Sequence, residues 1–294
     1  MSVFVFPGQG SQFKGMGHDL YQSNDQVKKL FEEADDLLNF SLSKIMFQGN
    51  EEALKQTKVT QPAIFLHSIA ELMVYESENK KPLAVAGHSL GEFSSLVANK
   101  TISFKDGLIL VSLRAKAMQK ACDNSSGAMA AILGLEDKLV RETCQEFDGN
   151  VIAANFNCPG QVVISGEINA VKNICEVFNS LGARRSLILP VSGAFHSSLM
   201  SEAKNELTDA INNTSFNTPI CPVYQNVDAA KTDDVQTIKK NLINQLTAPV
   251  LWTQIINNMI KDGLTEFIEI GPGKVLQGLI RKINREVSTQ GALG

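Results

Sequence analysis

Gly87-His88-Ser89-Leu90-Gly91 is a G-x-S-x-G sequence set between an apolar run, Leu83-Ala84-Val85-Ala86, and a helical run through Phe93, Leu96 and Val97. In a strand-to-helix turn, such glycines leave room for a tight bend that lifts the serine hydroxyl above the sheet. The N–H of the next residue, at a helix N-terminus, then points toward an incoming carbonyl oxygen. Ser89 is therefore the candidate nucleophile, and the Leu90 N–H a candidate oxyanion donor. The plain alternative is a glycine-flanked turn with an exposed serine; the strand before it and the helix after it favour the chemical reading.

A serine nucleophile needs a base, and the chain has four histidines. His18 lies in a glycine-rich stretch, His67 falls off the apolar stripe of its helix, and the ring of His88, committed to the turn, need not face the hydroxyl. His196 remains, in the small-residue loop Val191-Ser192-Gly193-Ala194-Phe195-His196-Ser197 after a strand, where α/β proteins place active-site groups. Imidazole exchanges protons near neutrality, although a lone histidine is as readily a structural or surface residue. Arg114 sits in an otherwise apolar helix, Leu108 to Ala115, and a buried guanidinium must find an anion or several carbonyls. Its planar fork fits a carboxylate; from composition alone, an internal salt bridge to Asp or Glu is the plainer reading. Gln9, in Pro7-Gly8-Gln9-Gly10, is either a second backbone oxyanion donor or a polar loop residue.

The elements that must position these residues are legible in part. Residues 2–6 predict a buried strand running into the Pro7–Gln12 loop, and 83–87 a second strand ahead of the elbow. Between them, Ile64, Phe65, Ile69, Leu72 and Met73 fall at helical spacing over 60–75, with Pro62 in the first turn. After Asn124-Ser125-Ser126-Gly127 the rhythm changes: strand 128–134, helix 136–147, strands 151–156 and 161–165, helix 168–181, strand 185–191. That βαββαβ order is the ferredoxin-like unit. The helical stripe Trp252 to Ile260, the strand 266–270 and a final helix opened by Gly271-Pro272-Gly273 complete the body. The expected fold is α/β: a mostly parallel body (1–125 and 193–294) with an inserted ferredoxin-like subdomain (126–192). The tail after Arg285 has few apolar anchors and is expected to be loose.

The 294 residues are 44% apolar, with 27 basic against 31 acidic side chains, enough for a full core and too acidic for a general nucleic-acid binder. Five widely spaced cysteines without a C-x-x-C pair argue against a disulfide framework and a zinc site. No signal peptide and no membrane span are expected; the expected setting is a reducing cytoplasm.

Taken together, four segments resemble the malonyl-CoA:acyl carrier protein transacylase family, the acyltransferases of fatty acid and polyketide synthesis. They are Phe6-Pro7-Gly8-Gln9-Gly10-Ser11-Gln12, Gly87-His88-Ser89-Leu90-Gly91-Glu92, Gly193-Ala194-Phe195-His196-Ser197 and Glu269-Ile270-Gly271-Pro272-Gly273. Their order and spacing match over nearly the whole chain, leaving only the Ser288–Gly294 end unmatched. The resemblance implies an α/β-hydrolase-like body with the ferredoxin-like insertion. It implies Ser89 as the acylated residue, His196 as its acid/base partner, and Gln9 and Leu90 N–H groups as the oxyanion hole. By the same resemblance a backbone carbonyl at Gln245 orients the histidine, Arg114 grips the free carboxylate of malonate, and Phe195 marks the malonyl-selecting version of the histidine motif. Asn155 falls in a segment facing the cleft, with no assigned chemistry. The implied partners are malonyl-CoA and acyl carrier protein, with neither nucleic acid nor membrane, on a cytoplasmic monomer without cofactor or metal. Arg184, Arg185, Lys274, Arg281 and Lys282 are candidates for a basic face toward an acidic carrier. A serine hydrolase with the same elbow and a non-catalytic docking module are the rival readings; the first would hold its histidine through a carboxylate.

Overall fold

A computed structural model of the chain describes residues 2–76, 80–191 and 193–293. Met1, Ser192 and Gly294, at the limits of the expected divisions, lie outside the described residues. Among the described residues ten strands follow in chain order: β1 Val3–Phe6, β2 Ala84–Gly87, β3 Gly127–Leu133, β4 Val151–Cys158, β5 Gln161–Glu167, β6 Arg185–Ile188, β7 Val223–Tyr224, β8 Lys231–Thr232, β9 Glu266–Glu269 and β10 Ser288–Gly291. They form a six-stranded sheet, β10-β9-β1-β2-β7-β8, and a four-stranded sheet, β4-β5-β3-β6.

The first sheet is parallel except for the hairpin-like β7–β8 pair. Parallel strands buried on both faces must be apolar throughout, and β1, Val-Phe-Val-Phe, is the centre of this sheet. Phe4 and Phe6 enter the core beneath the helices Thr57–Glu76, Gly91–Ala98 and Phe104–Asp123. Val3 and Val5 point the other way, against Trp252, Ile255, Ile256 and Ile280. The second sheet is antiparallel throughout, with the strand order of a ferredoxin-like βαββαβ unit. Helices Asp137–Glu146 and Ile168–Ser180 bury Val140, Val171, Ile174 and Phe178 against it. The two parts are stitched where Val250 pairs with β4: its N–H donates to Ala154 O at 2.8 Å and its carbonyl accepts from Phe156 N at 2.9 Å.

Three expectations need correction. The helix over 60–75 begins at Thr57, so Pro62 lies beyond the first turn. The apolar stripe packs in the core as expected, but the helix is buried on almost every side, so the stripe is only part of its packing surface and His67 is buried as well. The tail is not loose: β10 pairs in parallel with β9, and Arg281 donates to the Thr289 hydroxyl at 2.7 Å and carbonyl at 3.1 Å. Backbone ladder bonds anchor it, together with Val287, which is buried in the same core as Ile280. Among the described residues no helix is long and apolar enough to cross a membrane.

Candidate active site

Because β1 and β2 are parallel neighbours with Phe6 opposite Gly87, the Pro7–Gln12 loop and the Ser89 turn leave the same sheet edge side by side. His88 N–H donates to Phe6 O at 2.9 Å. β9, on the other side of β1, delivers Gly271-Pro272-Gly273 to that edge. The carboxyl ends of parallel strands are where open α/β sheets bind ligands.

The elbow is as tight as its glycines require. A Cβ on Gly87 would lie 1.8 Å from Gly91 C, and one on Gly91 would lie 2.0 Å from Phe6 O. Ser89 has φ +50°, a conformation that costs a non-glycine residue about 1–3 kcal/mol. Leu90 follows immediately as the N-cap of helix Gly91–Ala98.

His196, itself at φ +62°, places Nε2 at 2.8 Å from Ser89 Oγ. Its Nδ1 lies 2.9 Å from the Gln245 carbonyl. A carbonyl can only accept, so the proton sits on Nδ1 and leaves Nε2 with its lone pair toward the serine hydroxyl. Burial, reinforced by the charge of Arg114, drives the imidazole down from 6.5 to about 3, against the raising effect of the Gln245 carbonyl. The ring is therefore neutral across the physiological range. His88 takes no part in this pair: its Nε2 bonds Asn157 Oδ1 at 2.8 Å.

Arg114 is 1% exposed, and three neutral oxygens hold it. NH1 donates to Gln61 Oε1 at 2.6 Å; NH2 donates to Ser89 Oγ at 3.0 Å and to Gln245 Oε1 at 3.1 Å. Its Nε has no hydrogen-bond partner, and among the described residues no carboxylate lies within ion-pair distance. The internal salt bridge that composition favours is thus not formed. Burial lowers the guanidinium to about 10, with Glu92 pulling the other way, so it stays charged. A buried cation with an unused donor, in the wall of a pocket, is a site for an anion.

The pocket is a cavity of about 230 Å³ between the two sheets. The body contributes Gln9, Ser89, Leu90, Arg114 and Phe195; the second sheet closes it with Asn155 and Val163. All the residues expected at the site meet here, with Gln245 beside them through its hydrogen bonds. Among the described residues no cluster of His, Cys, Asp or Glu is arranged to hold a metal ion. A neutral base, a hydroxyl sharing its proton with that base, and a guanidinium 3.0 Å from the same oxygen can together take an acyl group bearing a distant negative charge. Sequence reasoning missed Gln61, Asn157 and Asn226. Asn226 follows β7, a two-residue strand too short for any periodicity. Glu92 stood inside the elbow motif without a role.

Residues 3–293 match a family model described as an acyl transferase domain, which brings all but the last residue of the Ser288–Gly294 end into the match. The malonyl CoA-acyl carrier protein transacylase of Bacillus subtilis (strain 168) is 44% identical over 290 residues, covering 98% of this chain and 92% of that protein. Among solved structures, the acyl-carrier-protein-S-malonyltransferase of Bartonella henselae superposes with a TM-score of 0.96 at 40% identity, covering 99% of this chain and 95% of that one. A malonyl-transacylase in complex with its type II PKS acyl-carrier protein superposes with a TM-score of 0.94 at 40% identity, over 98% and 94% of the two chains.

Proposed function

The chain belongs to the acyl transferase family, and from that premise we propose that it transfers the malonyl group of malonyl-CoA to the phosphopantetheine thiol of acyl carrier protein, supplying extender units for fatty acid synthesis. The observation that carries the reading is the convergence on Ser89 Oγ of His196 Nε2 at 2.8 Å and Arg114 NH2 at 3.0 Å. The first is a base and the second an anchor for an anion.

His196 Nε2 takes the Ser89 proton as Oγ attacks the thioester carbonyl. The tetrahedral oxyanion is met by the N–H groups of Gln9 and Leu90. As the C–S bond breaks, the proton on Nε2 passes to the departing thiolate, and free coenzyme A leaves a malonyl ester on Ser89. The carrier's thiol then gives its proton to Nε2 and attacks the ester; that proton returns to Ser89 Oγ, and malonyl-carrier departs. The thioester is already an activated acyl donor, so no resident cofactor or metal is required. Arg114 receives the free carboxylate of malonate. That contact offsets the Arg114 charge, the smaller of the two main effects that lower His196, while its burial continues to hold the ring neutral. Phe195, 6% exposed at the pocket wall, crowds a 2-methyl group, a discrimination typically worth about 1–3 kcal/mol.

We also take residues 126–192 as an inserted subdomain and the enzyme as a cytoplasmic monomer. Of the five basic candidates, Arg281 is engaged with Thr289. Arg184, Arg185, Lys274 and Lys282 are exposed, and Lys274 adjoins the pocket-lining Val275; these four form the proposed carrier face. The test is to incubate the protein with malonyl-CoA and holo carrier protein. Malonyl-carrier as the main product supports the proposal; free malonate as the main product, the outcome expected of a hydrolase, refutes it.

A further inference from the structure

Two carboxamide side chains hold the backbone of the strained turn at Ser89 from outside, and one of them, Gln245, donates from Nε2 to Ser89 O at 3.0 Å. Asn226, fully buried in the turn two residues past β7, accepts from Ser89 N–H through Oδ1 at 2.7 Å and donates from Nδ2 to Gly87 O at 2.7 Å. Both partners are backbone groups of fixed polarity, so the carboxamide has only one orientation that satisfies them. The two bonds bridge the peptide groups on either side of His88 and oppose relaxation of the serine from φ +50° to an ordinary negative value. They also engage the serine's own N–H, which leaves the N–H of Leu90 as the elbow amide available to the pocket.

Asn226 is itself held by the elbow motif's unassigned acid. Glu92, fully buried at the start of helix Gly91–Ala98, accepts from Asn226 N–H through Oε2 at 2.9 Å and from Gln225 Nε2 through Oε1 at 2.9 Å. Gln225 Oε1 in turn accepts from Asn241 Nδ2 at 3.2 Å. A buried carboxylate bonded to neutral donors, rather than to a cation, gives up charge–charge stabilisation in exchange for geometry.

We propose that Asn226 is a positioning residue that clamps the nucleophile turn in its reactive conformation, and that Glu92 acts through it. The inference rests on Ser89 being the acylated residue. It assigns Asn226 no contact with the substrate, so its loss should slow acylation without weakening malonyl-CoA binding.

The test measures the single-turnover rate of malonyl-ester formation on Ser89 by rapid quench and mass spectrometry, together with KM for malonyl-CoA and a thermal melt, for Asn226→Ala, Asn226→Asp, Glu92→Gln and Asn226→Ala/Glu92→Gln. Asn226→Ala is expected to slow acylation about 10- to 100-fold, the scale of a small misplacement of reacting atoms, with KM within about threefold of the unaltered value. Asn226→Asp keeps the acceptor for Ser89 N–H, loses the donor to Gly87, and should fall between. Glu92→Gln should lose less than Asn226→Ala, and the double variant should be no slower than Asn226→Ala alone, because the second change acts through the first. A cooperatively folded Asn226→Ala that acylates at the unaltered rate overturns the proposal, and so does a double variant whose losses multiply. If Asn226→Ala does not melt cooperatively, Asn226→Asp decides by the same criterion. Absence of any ester on Ser89 of the unaltered protein is a different result: it refutes the acyl-transfer reading and this inference with it.

Discussion

Replacing Arg114 by alanine should change which acyl group the enzyme accepts. The guanidinium offers a carboxylate two charge-assisted hydrogen bonds in a buried pocket, each worth about 1.5–3 kcal/mol. Allowing for partial rehydration of the emptied space, a loss of about 3–4 kcal/mol is expected. At about 1.4 kcal/mol per decade this is a 10²- to 10³-fold fall in kcat/KM for malonyl-CoA. The same guanidinium also donates to Ser89 Oγ and Gln245 Oε1, so its removal disturbs the nucleophile whatever the substrate. Acetyl-CoA, which has no carboxylate, reports that second effect alone. The decisive quantity is therefore the malonyl-to-acetyl ratio of kcat/KM, measured by transfer to carrier protein with the variant's folding checked by a melt. Arg114→Lys keeps the charge but not the fork and should lie between. A ratio that stays within about threefold of the unaltered enzyme refutes the anion-anchor reasoning, however far both rates fall.

Gln245 serves the His196 pair through its backbone carbonyl, while its side chain accepts from Arg114 and donates to Ser89 O, so Gln245→Ala should lose some activity yet retain more than His196→Ala, whose loss of a general base costs about 10²- to 10⁴-fold; equal losses in steady-state transfer would contradict this. The stability profile with pH should also expose Glu92. Burial raises its carboxyl from 4.5 to about 7, so its contribution is complete below pH 4.5 and is lost as pH rises through 7. His196, lowered from 6.5 to about 3, contributes fully above pH 6.5 and loses that contribution as pH falls toward 3. The two slopes oppose between pH 4.5 and 6.5, so thermal melts of Glu92→Gln should rise more steeply with pH there than those of the unaltered protein; an unchanged slope would count against the buried acid. Finally, Gly87→Ala should fail to fold or melt far lower, since its Cβ would fall 1.8 Å from Gly91 C; a normal melt would show that the turn is not as closed as described.

Much of the site was legible because its residues sit at the ends of strongly patterned elements. β1 and β2 are short continuous apolar runs that stop at turn residues, so the two loops carrying Gln9 and Ser89 could be placed at strand ends before their adjacency was seen. Elimination among four histidines brings His196 only level with a structural role, and the family resemblance is what implies its role as base; the βαββαβ rhythm implies the second sheet's topology. Arg114 shows the limit of composition: its apolar helix implied a buried guanidinium but not its partners, which are Gln61, Ser89 and Gln245, distant in the chain. Asn226 was not legible at all. The two-residue strand before it has no periodicity, and the importance of Asn226 lies in two bonds to backbone 137 and 139 residues away. The tail departs from its expected looseness for a related reason: ladder bonds of the kind that hold β10 leave no trace in side-chain hydropathy.

The account depends most directly on a covalent ester at one oxygen. The measurement is peptide mass spectrometry after mixing the protein with malonyl-CoA in the absence of carrier protein, alongside Ser89→Ala. The account predicts a malonyl ester on Ser89, absent from the alanine variant and discharged when holo carrier protein is added. A malonyl adduct on another residue, or coenzyme A release with no ester at Ser89, would contradict it.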